Sequence, residues 1–489
     1  MLTLPLFKRA EIGLLLKHGG GYDASETVPA TQSTVSFAQS GMTLIADIDA
    51  TISKLDLDKS IITEYSLAAK NGKTLTISSF PNSGVKEDTT LNIGSTTDDT
   101  LGGTIKISGA WKNTVFNVNS GNLIGTPTTD ATGHYNSTFN IAKDSSVTLG
   151  KGLNGDNTKF NVYGTLTSSD ATLTVYNSGC YFNLYEGATF NAHNVKFAQG
   201  ATANSDGSYN KRIFIDGTIN VSNGETSRNT RYYAIRFGDC SNSTSNSVNA
   251  LKGQKGIYDI GEHAVIRQTS SDSKKYLVET TSILNIANGA KMYLQNGFGL
   301  IGYATVNINA QNVFFTEDLN DKDQRNSKFV VTDKSGSMLD VSPTLNVNMD
   351  NNFGNVEFDI TNSSNKQNAR LIINLAEGVE VSFKSLFSNY ATYEEMYNNL
   401  EEICITFEIN GLSDKQNFKV TDMDDILEKY NNSESFLKFV DKNKNTLYVT
   451  ELGGDYFISA DMLAIPEPAE WAMILGFATM LFAMYRRRK

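Results

Sequence analysis

The chain has 489 residues, a formal net charge of −11 and a hydrophobic share of 39%, below that of an ordinary globular protein. The acidic balance argues against a nucleic-acid partner, since phosphate binding needs clustered Lys and Arg. Only 19% of residues are charged, while 26 Phe and 21 Tyr can build a core, which argues against a charged disordered chain.

Residues 1–32 carry little strand pattern and include "HGGGYDASETVPATQ", which reads as a flexible leader. From 33 to 383 a hydrophobic–Asn–hydrophobic tripeptide keeps returning. It stands as "LNI" at 91, "FNV" at 116, "FNI" at 139, "FNV" at 160 and "FNL" at 182, then as "INV" at 219, "LNI" at 284, "VNI" at 306, "LNV" at 345 and "INL" at 373. Asn92, Asn117, Asn140, Asn161 and Asn183 are spaced 25, 23, 21 and 22 apart, and Asn285 to Asn307 is again 22. "YDIGEHAVIRQ" at 258 fits the pattern with Asp259 in the Asn place. Several copies run on through a Gly turn into a second alternating stretch, as in "FNLYEGATFNA" and "INLAEGVEVSF".

The physical cause lies in strand geometry. Alternate side chains face opposite sides, so Phe182 and Leu184 point inward and Asn183 outward. One such unit cannot bury its apolar face alone, but stacked units bury a continuous core. The spacing predicts a mainly β fold, a right-handed parallel β-helix of two or three short strands per coil. About sixteen coils would make a rod of roughly 75 Å. Asn, a poor strand former alone, can form amide ladders along such a stack. The competing architecture is a series of antiparallel β-sandwiches, whose strands also recur every 8 to 12 residues.

Residues 222–256 read as loops protruding from the stack. Residues 384–462 change character: "ATYEEMYNNLEEI" and "DMDDILEKY" have helical spacing, and "SFLKFVDKNKNTLYVTEL" reads as a hairpin around "DKNKN". This segment is expected to be a small α+β cap on the open end of the solenoid, or an independent module.

"DKNKNT" at 441 imitates a calcium loop but has Thr446 where Gly is needed and Leu452 in place of the twelfth-position acid, so it reads as a plain turn. "EDLNDKDQRN" at 317 also misses the spacing. His18, His134, His193 and His263 are scattered, with no HExxH or paired spacing; His134 and His193 read as surface or loop residues. The acidic pair Asp98 and Asp99 lies in a turn without a companion motif, and the "GHG" and "RIK" elements of polygalacturonases are absent. Cys180, Cys240 and Cys404 form no CxxC pair and read as buried thiols, with a single disulfide as the alternative. No catalytic residue, cofactor or metal is expected.

The chain closes with "IPEPAEWAMILGFATMLFAMYRRRK". Trp471 to Tyr485 are 15 residues without a charge, about 22 Å as a helix. That is short for a bilayer core, and Arg486, Arg487, Arg488 and Lys489 extend the reach by snorkelling. Trp471 and Tyr485 sit at the two boundaries where amphipathic rings prefer to lie, and the cations hold the C-terminus inside. The expectation over 463–489 is therefore a transmembrane helix with the body facing outward. Pro466, Glu467, Pro468, the short apolar helix and the basic end together resemble the PEP-CTERM sorting signal of bacterial envelope proteins. That resemblance, over about 25 residues, implies export, tethering, and processing near Pro466–Pro468 by a membrane protease of the exosortase type. The repeats themselves resemble autotransporter and adhesin-like solenoids. Export also requires an N-terminal signal peptide. "MLTLPLFKRAEIGLLLKHGGG" offers only the five-residue run "IGLLL", so the expectation is a start that lies further upstream, with unconventional export as the alternative.

These readings converge on an exported, membrane-tethered envelope protein with a structural or adhesive role, whose partners are an exosortase-type enzyme, the membrane and exopolysaccharide. The alternative is a polysaccharide lyase or glycoside hydrolase on the same fold. A groove lined by three or more charged side chains from adjacent coils, with displaced pKa values, would favour that enzyme.

Overall fold

The computed structural model describes residues 14–18, 27–28, 31–37, 39–57, 62–80, 89–109, 111–126, 136–149, 153–156, 158–176, 180–198, 211–222, 234–238, 256–268, 278–280, 282–294, 297–315, 327–332, 340–360, 368–388, 392–400, 404–413, 416–422, 427, 437–461, 475–477, 479–480 and 485–486. The strands are short, and their side chains alternate between core and surface. In Thr138–Ile141, Lys159–Val162 and Tyr181–Leu184 the Phe and the aliphatic residue are buried, and the Asn between them is half-buried on the outside.

The strands stack in parallel and in register. Phe116, Phe139, Phe160 and Phe182 lie directly over one another, as do Asn117, Asn140, Asn161 and Asn183. From Met42–Ala46 to Leu437–Val440 this first sheet passes through fourteen consecutive parallel pairings, hence fifteen strands. Fourteen steps of about 4.8 Å give a rod of roughly 67 Å. A second face begins at Thr31–Phe37 and Ala50–Leu57 and ends at Phe314–Phe315. A third runs from Leu153–Asp156 to Asn355–Asp359. The long strands Thr165–Tyr176 and Thr189–Ala198 join the second face to the third, bending where the register shifts between Ser168 and Thr172.

Rings fill the interior. Phe116, Phe139, Phe160 and Phe182 stack with centroids 4.9, 5.2 and 5.7 Å apart, and Trp111 packs 5.0 Å from Phe116. Further along, Phe329, Phe353, Phe383 and Phe418 form a second column, from other strands, at 5.5, 5.2 and 5.4 Å. Burying each such ring contributes about 1.5–3 kcal/mol. Corners between faces need close backbone approach: a Cβ at Gly164 would lie 2.3 Å from the carbonyl oxygens of both Ala142 and Ser145, so only glycine fits there.

Both ends of the rod carry antiparallel strands. Leu14–His18 pairs antiparallel with Met42–Ala46, so the segment expected as a featureless leader supplies strands to the first coil. At the other end the hairpin Tyr448–Leu452 and Asp455–Ser459 packs antiparallel against Phe418–Val420. Such strands cover edges that would otherwise template further pairing. The hairpin turns at Gly453 and Gly454, whose φ values of 67° and 91° are those of a two-residue primed turn. A second chain reversal stands at "DKNKN", as expected: Val440 bridges Thr446 antiparallel and the Leu447 amide donates to the Phe439 carbonyl, while Leu437–Val440 also belongs to the first sheet. The solenoid thus runs beyond residue 383, since Cys404–Asn410 also continues the first sheet. The helical expectation at 393 is met by Tyr393–Leu400, whereas most of "DMDDILEKY" lies outside the described residues.

No helix among the described residues is long and apolar enough to cross a membrane. The expected C-terminal transmembrane helix falls largely outside the described residues: of 463–489 only 475–477, 479–480 and 485–486 are described, all of them helical. Leu475, Phe477, Met480 and Tyr485 are exposed rather than packed into the solenoid core.

Phe160→Ala should lower stability by about 3–5 kcal/mol by leaving a cavity between Phe139 and Phe182. Asn307→Ala, on the outer face, should cost only about 1–2 kcal/mol. Urea unfolding midpoints check the order, and a larger effect at Asn307 would mean that the outer row rather than the core dominates stability.

Candidate functional site

In-register stacking turns the outward Asn positions into a hydrogen-bonded row with one polarity. Each side-chain Nδ2 donates to the Oδ1 of the preceding coil: Asn117 to Asn92, Asn140 to Asn117, Asn161 to Asn140 and Asn183 to Asn161, at 2.8–3.0 Å. The row begins on a carboxylate, with Asn92 donating to Glu64 at 2.8 Å. A second row repeats the plan. Asn285 donates to Asp259, followed by Asn307, Asn346, Asn374 and Asn410, at 2.6–2.7 Å. Asp259 does occupy the Asn place, paired with Asn285 in register. The "INV" at 219 does not belong here: Asn220 lies on the second face and donates to Asn191 at 2.9 Å.

Between the two rows stands Phe214, opposite Asn183 on one side and Asp259 on the other. Around it the outer face changes chemistry. Tyr163 and Tyr185, two residues beyond Asn161 and Asn183, stack with centroids 4.1 Å apart and planes within 3°. Phe214 meets Tyr185 edge-on at 6.3 Å. On the other flank of the Asn row, Tyr181 accepts a 3.3 Å hydrogen bond from Asn161, and the Lys159 ammonium lies 5.8 Å from its ring centre. Burial, reinforced by contact with Tyr163, pushes the Tyr185 hydroxyl up to about 12, so it remains a hydrogen-bond donor at neutral pH.

In the row that carries Tyr163 and Tyr185, the next coil places Asp216, whose amide donates to the Leu184 carbonyl. Asp216 accepts from the His263 backbone at 2.9 Å and contacts His263 Nδ1 at 3.1 Å. Gly261 makes this contact feasible, because a Cβ there would lie 2.2 Å from the Asp216 carboxylate. Glu262 and Glu186 reach His263 Nε2 at 3.5 and 3.9 Å. The hydrogen bond to Asp216 raises the His263 pKa against a smaller desolvation effect, and the charges of Glu186, Asp216 and Glu262 add to it. Three consecutive coils thus bring together an imidazole and three carboxylates that are up to 77 residues apart in sequence, Glu186 to His263. The scattered histidines gave no hint of this. The available signal was in-register stacking: once Asp259 is placed over Phe214, Gly261 falls above Asp216 and the turn that follows brings His263 to it.

Other candidates have structural tasks. Asp441 accepts from the Asn443 and Asn445 backbones and from the Asn445 side chain, so the "DKNKN" carboxylate is occupied by its own turn. Asp98 caps a short 3₁₀ turn through the Thr100 amide. Burial works against ionisation of Glu408, but hydrogen bonds from Lys444 and Asn410 and the charges of Lys444 and Arg370 outweigh it and hold its pKa below the usual range. Among the described residues no His, Cys, Asp and Glu group is arranged to hold a metal ion. Cys180 is buried and Cys404 half-buried, and Cys240 lies outside the described residues. Of the expected sorting and anchor residues, Pro466, Glu467, Pro468, Trp471, Arg487, Arg488 and Lys489 also lie outside them, while Tyr485 and Arg486 are helical and exposed. Comparison with known protein families, with curated proteins and with solved structures finds no match.

The His263 cluster yields a pH prediction. A raised pKa means that the imidazolium–Asp216 contact stabilises the fold below pH 6.5, the ordinary His value, and that this contribution is lost as pH rises through the folded-state pKa. An NMR titration should place the His263 midpoint above 6.5, and Asp216→Asn should bring it down. An unchanged midpoint in that variant would refute the assignment of Asp216 as the cause.

Proposed function

We propose that this chain is an exported cell-envelope protein, a right-handed β-solenoid tethered by a PEP-CTERM-type tail, with a structural or adhesive role in the surface or its polysaccharide matrix. Right-handed coils are inferred because crossovers between parallel strands in one sheet are almost always of that hand. The observation that carries the reading is the pairing of a capped solenoid, whose outer Asn rows are hydrogen-bonded to themselves, with apolar helical residues that do not join its core. A surface built of repeated amides and hydroxyls suits many weak contacts along one rod. Tethering would use Trp471, Tyr485 and the Arg486–Lys489 end at the membrane, with Pro466, Glu467 and Pro468 presented in extended form to a processing enzyme of the exosortase type.

The enzymatic alternative, a polysaccharide lyase or glycoside hydrolase, has one observation in its favour: the charged cluster at His263 drawn from adjacent coils. Its environment is wrong for glycoside chemistry. Glu186 and Glu262 are 70% and 68% exposed, and Asp216, at 15%, is committed to His263. A general acid needs an enclosed apolar pocket to stay protonated.

The test is the mass of the mature protein from its host, fraction by fraction. A chain ending near residue 466 in the envelope or medium is the expected result. An intact tail in the inner membrane would reduce the tail to a simple anchor and remove the processing enzyme. Recovery only from the cytoplasm would overturn the envelope reading.

A further inference from the structure

We infer that the outer face around Tyr163, Tyr185 and Phe214, bordered by Glu186, Asp216 and His263, binds a neutral, hydroxyl-rich glycan. This rests on the envelope reading and gives it a ligand class and a place.

The first argument is the cost of Phe214. An Asn at that position would lengthen the first row by one amide, donating to Asn183 as each Asn does to the coil before it, while Asp259 in the next coil would still start a row of its own. Phe there forgoes one side-chain hydrogen bond, which would contribute about 0.5–1.5 kcal/mol. It also places a ring on a face that is otherwise polar. No packing need accounts for it, since the core column lies on the other side of the strand, where Ile213 and Ile215 are buried. A residue that weakens the stack and exposes carbon is best explained by what it meets from outside.

The second argument is the arrangement of the rings. Tyr163 is 49% exposed, the one large exposed hydrophobic residue on the solenoid flank among the described residues; the others lie on the 393–400 helix, the C-terminal hairpin and the tail. Its stacked partner Tyr185 covers one ring face. In the preceding coil the matching position is Ala142, as the steps Ala142 to Val118, Tyr163 to Ile141 and Tyr185 to Val162 establish. A methyl group covers little of the second face. The result is an aromatic shelf of one coil's depth, on which the C–H face of a pyranose can lie, with Phe214 extending the apolar strip on the far side of Tyr185.

The third argument is polar and electrostatic. Sugar hydroxyls need acceptors beside the rings, and the exposed Glu186 carboxylate stands one residue from Tyr185, with exposed Glu262 two coils on beside His263. Charge-assisted hydrogen bonds of this kind are about twice as strong as neutral ones. The phenol hydroxyls of Tyr163 and Tyr185 add donors. Three carboxylates here, in a chain of net charge −11, repel a polyanion, so the surface suits neutral sugars over uronic-acid polymers.

The test is native gel electrophoresis of the full chain, in a sugar-free non-ionic detergent, through gels cast with hydroxyethyl cellulose, mixed-linkage β-glucan, dextran or polygalacturonate. At least one neutral polymer should retard the wild type, and Tyr163→Ala should weaken that retardation about tenfold, equivalent to about 1.4 kcal/mol. Phe214→Asn is the decisive variant. It should extend the first amide row by one coil, preserve the urea midpoint, and still weaken binding. Tyr448→Ala, on the distant hairpin, should bind as the wild type does. Equal retardation of all variants would overturn the site while leaving an adhesive solenoid intact. Retardation by polygalacturonate alone would overturn the ligand class. If no polymer retards the wild type, the glycan site falls, and the envelope reading is still decided by fractionation.

Discussion

Everything in this molecule depends on parallel strands stacking in register, so that each side chain meets its counterpart one coil away. Identical neighbours are tolerable only for certain chemistries. Phe can stack on Phe, as along Phe116, Phe139 and Phe160. Like charges in a row would repel at about 4.8 Å. An amide escapes that problem because it is donor at one end and acceptor at the other. A column of Asn side chains therefore satisfies itself, provided that something acceptor-only stands at its start. Glu64 and Asp259 fill that place, each receiving the first amide of its row and needing no donor of its own. At the far end the last acceptor is left over, and Asn410 Oδ1 is buried with no hydrogen-bond partner among the described residues. Polarity along the rod is thus written into the side chains as well as the backbone.

The same constraint explains what could be read from the sequence. The Phe–Asn–hydrophobic repeats are conspicuous because each coil must reproduce the chemistry of the one beneath it, so the parallel stack and its inward and outward faces were legible. Phe214 was not legible as a member of the row. It carries no Asn, and its strand Lys211–Ile215 shifts register against the next one. Asn220 misled for the opposite reason: it sits in the right tripeptide but on a different face. The turn at "DKNKN" was legible from its Asp and Asn residues, and Val440 and Thr446 do bridge across it; the longer hairpin that follows closes at the "GG" between Leu452 and Asp455, because only glycine accepts positive φ at both central positions without cost. The His263 cluster was invisible to motif reading, since nothing in local spacing links Glu186, Asp216 and His263. They meet only after the chain has completed two further coils.

The tail stands at the opposite pole. It was read entirely from residue order, Pro-Glu-Pro, apolar stretch, cations, and the described residues add one physical fact: Leu475, Phe477 and Met480 do not join the core. Apolar helical side chains left in water are unfavourable by the same roughly 25 cal/mol per Å² that drives the solenoid core together. A bilayer removes that penalty, and so does a partner. The amide rows cannot, because their outward surface is polar.

Where a stack departs from its own rule, stability and function separate. Along most of the first sheet the residue that stabilises best is also the residue present. At Phe214 it is not, and the departure coincides with exposed Tyr163, with the stacked Tyr185 and with a carboxylate cluster held by His263. A purely structural rod has no reason to place these four irregularities on neighbouring coils, since each weakens or complicates the repeat. Were they tolerated defects, they would be scattered along roughly 67 Å of solenoid. Instead they adjoin, and together they replace a self-satisfied amide surface by rings and acceptors open to an outside ligand. The interruption is therefore the best place to look for what the rod touches.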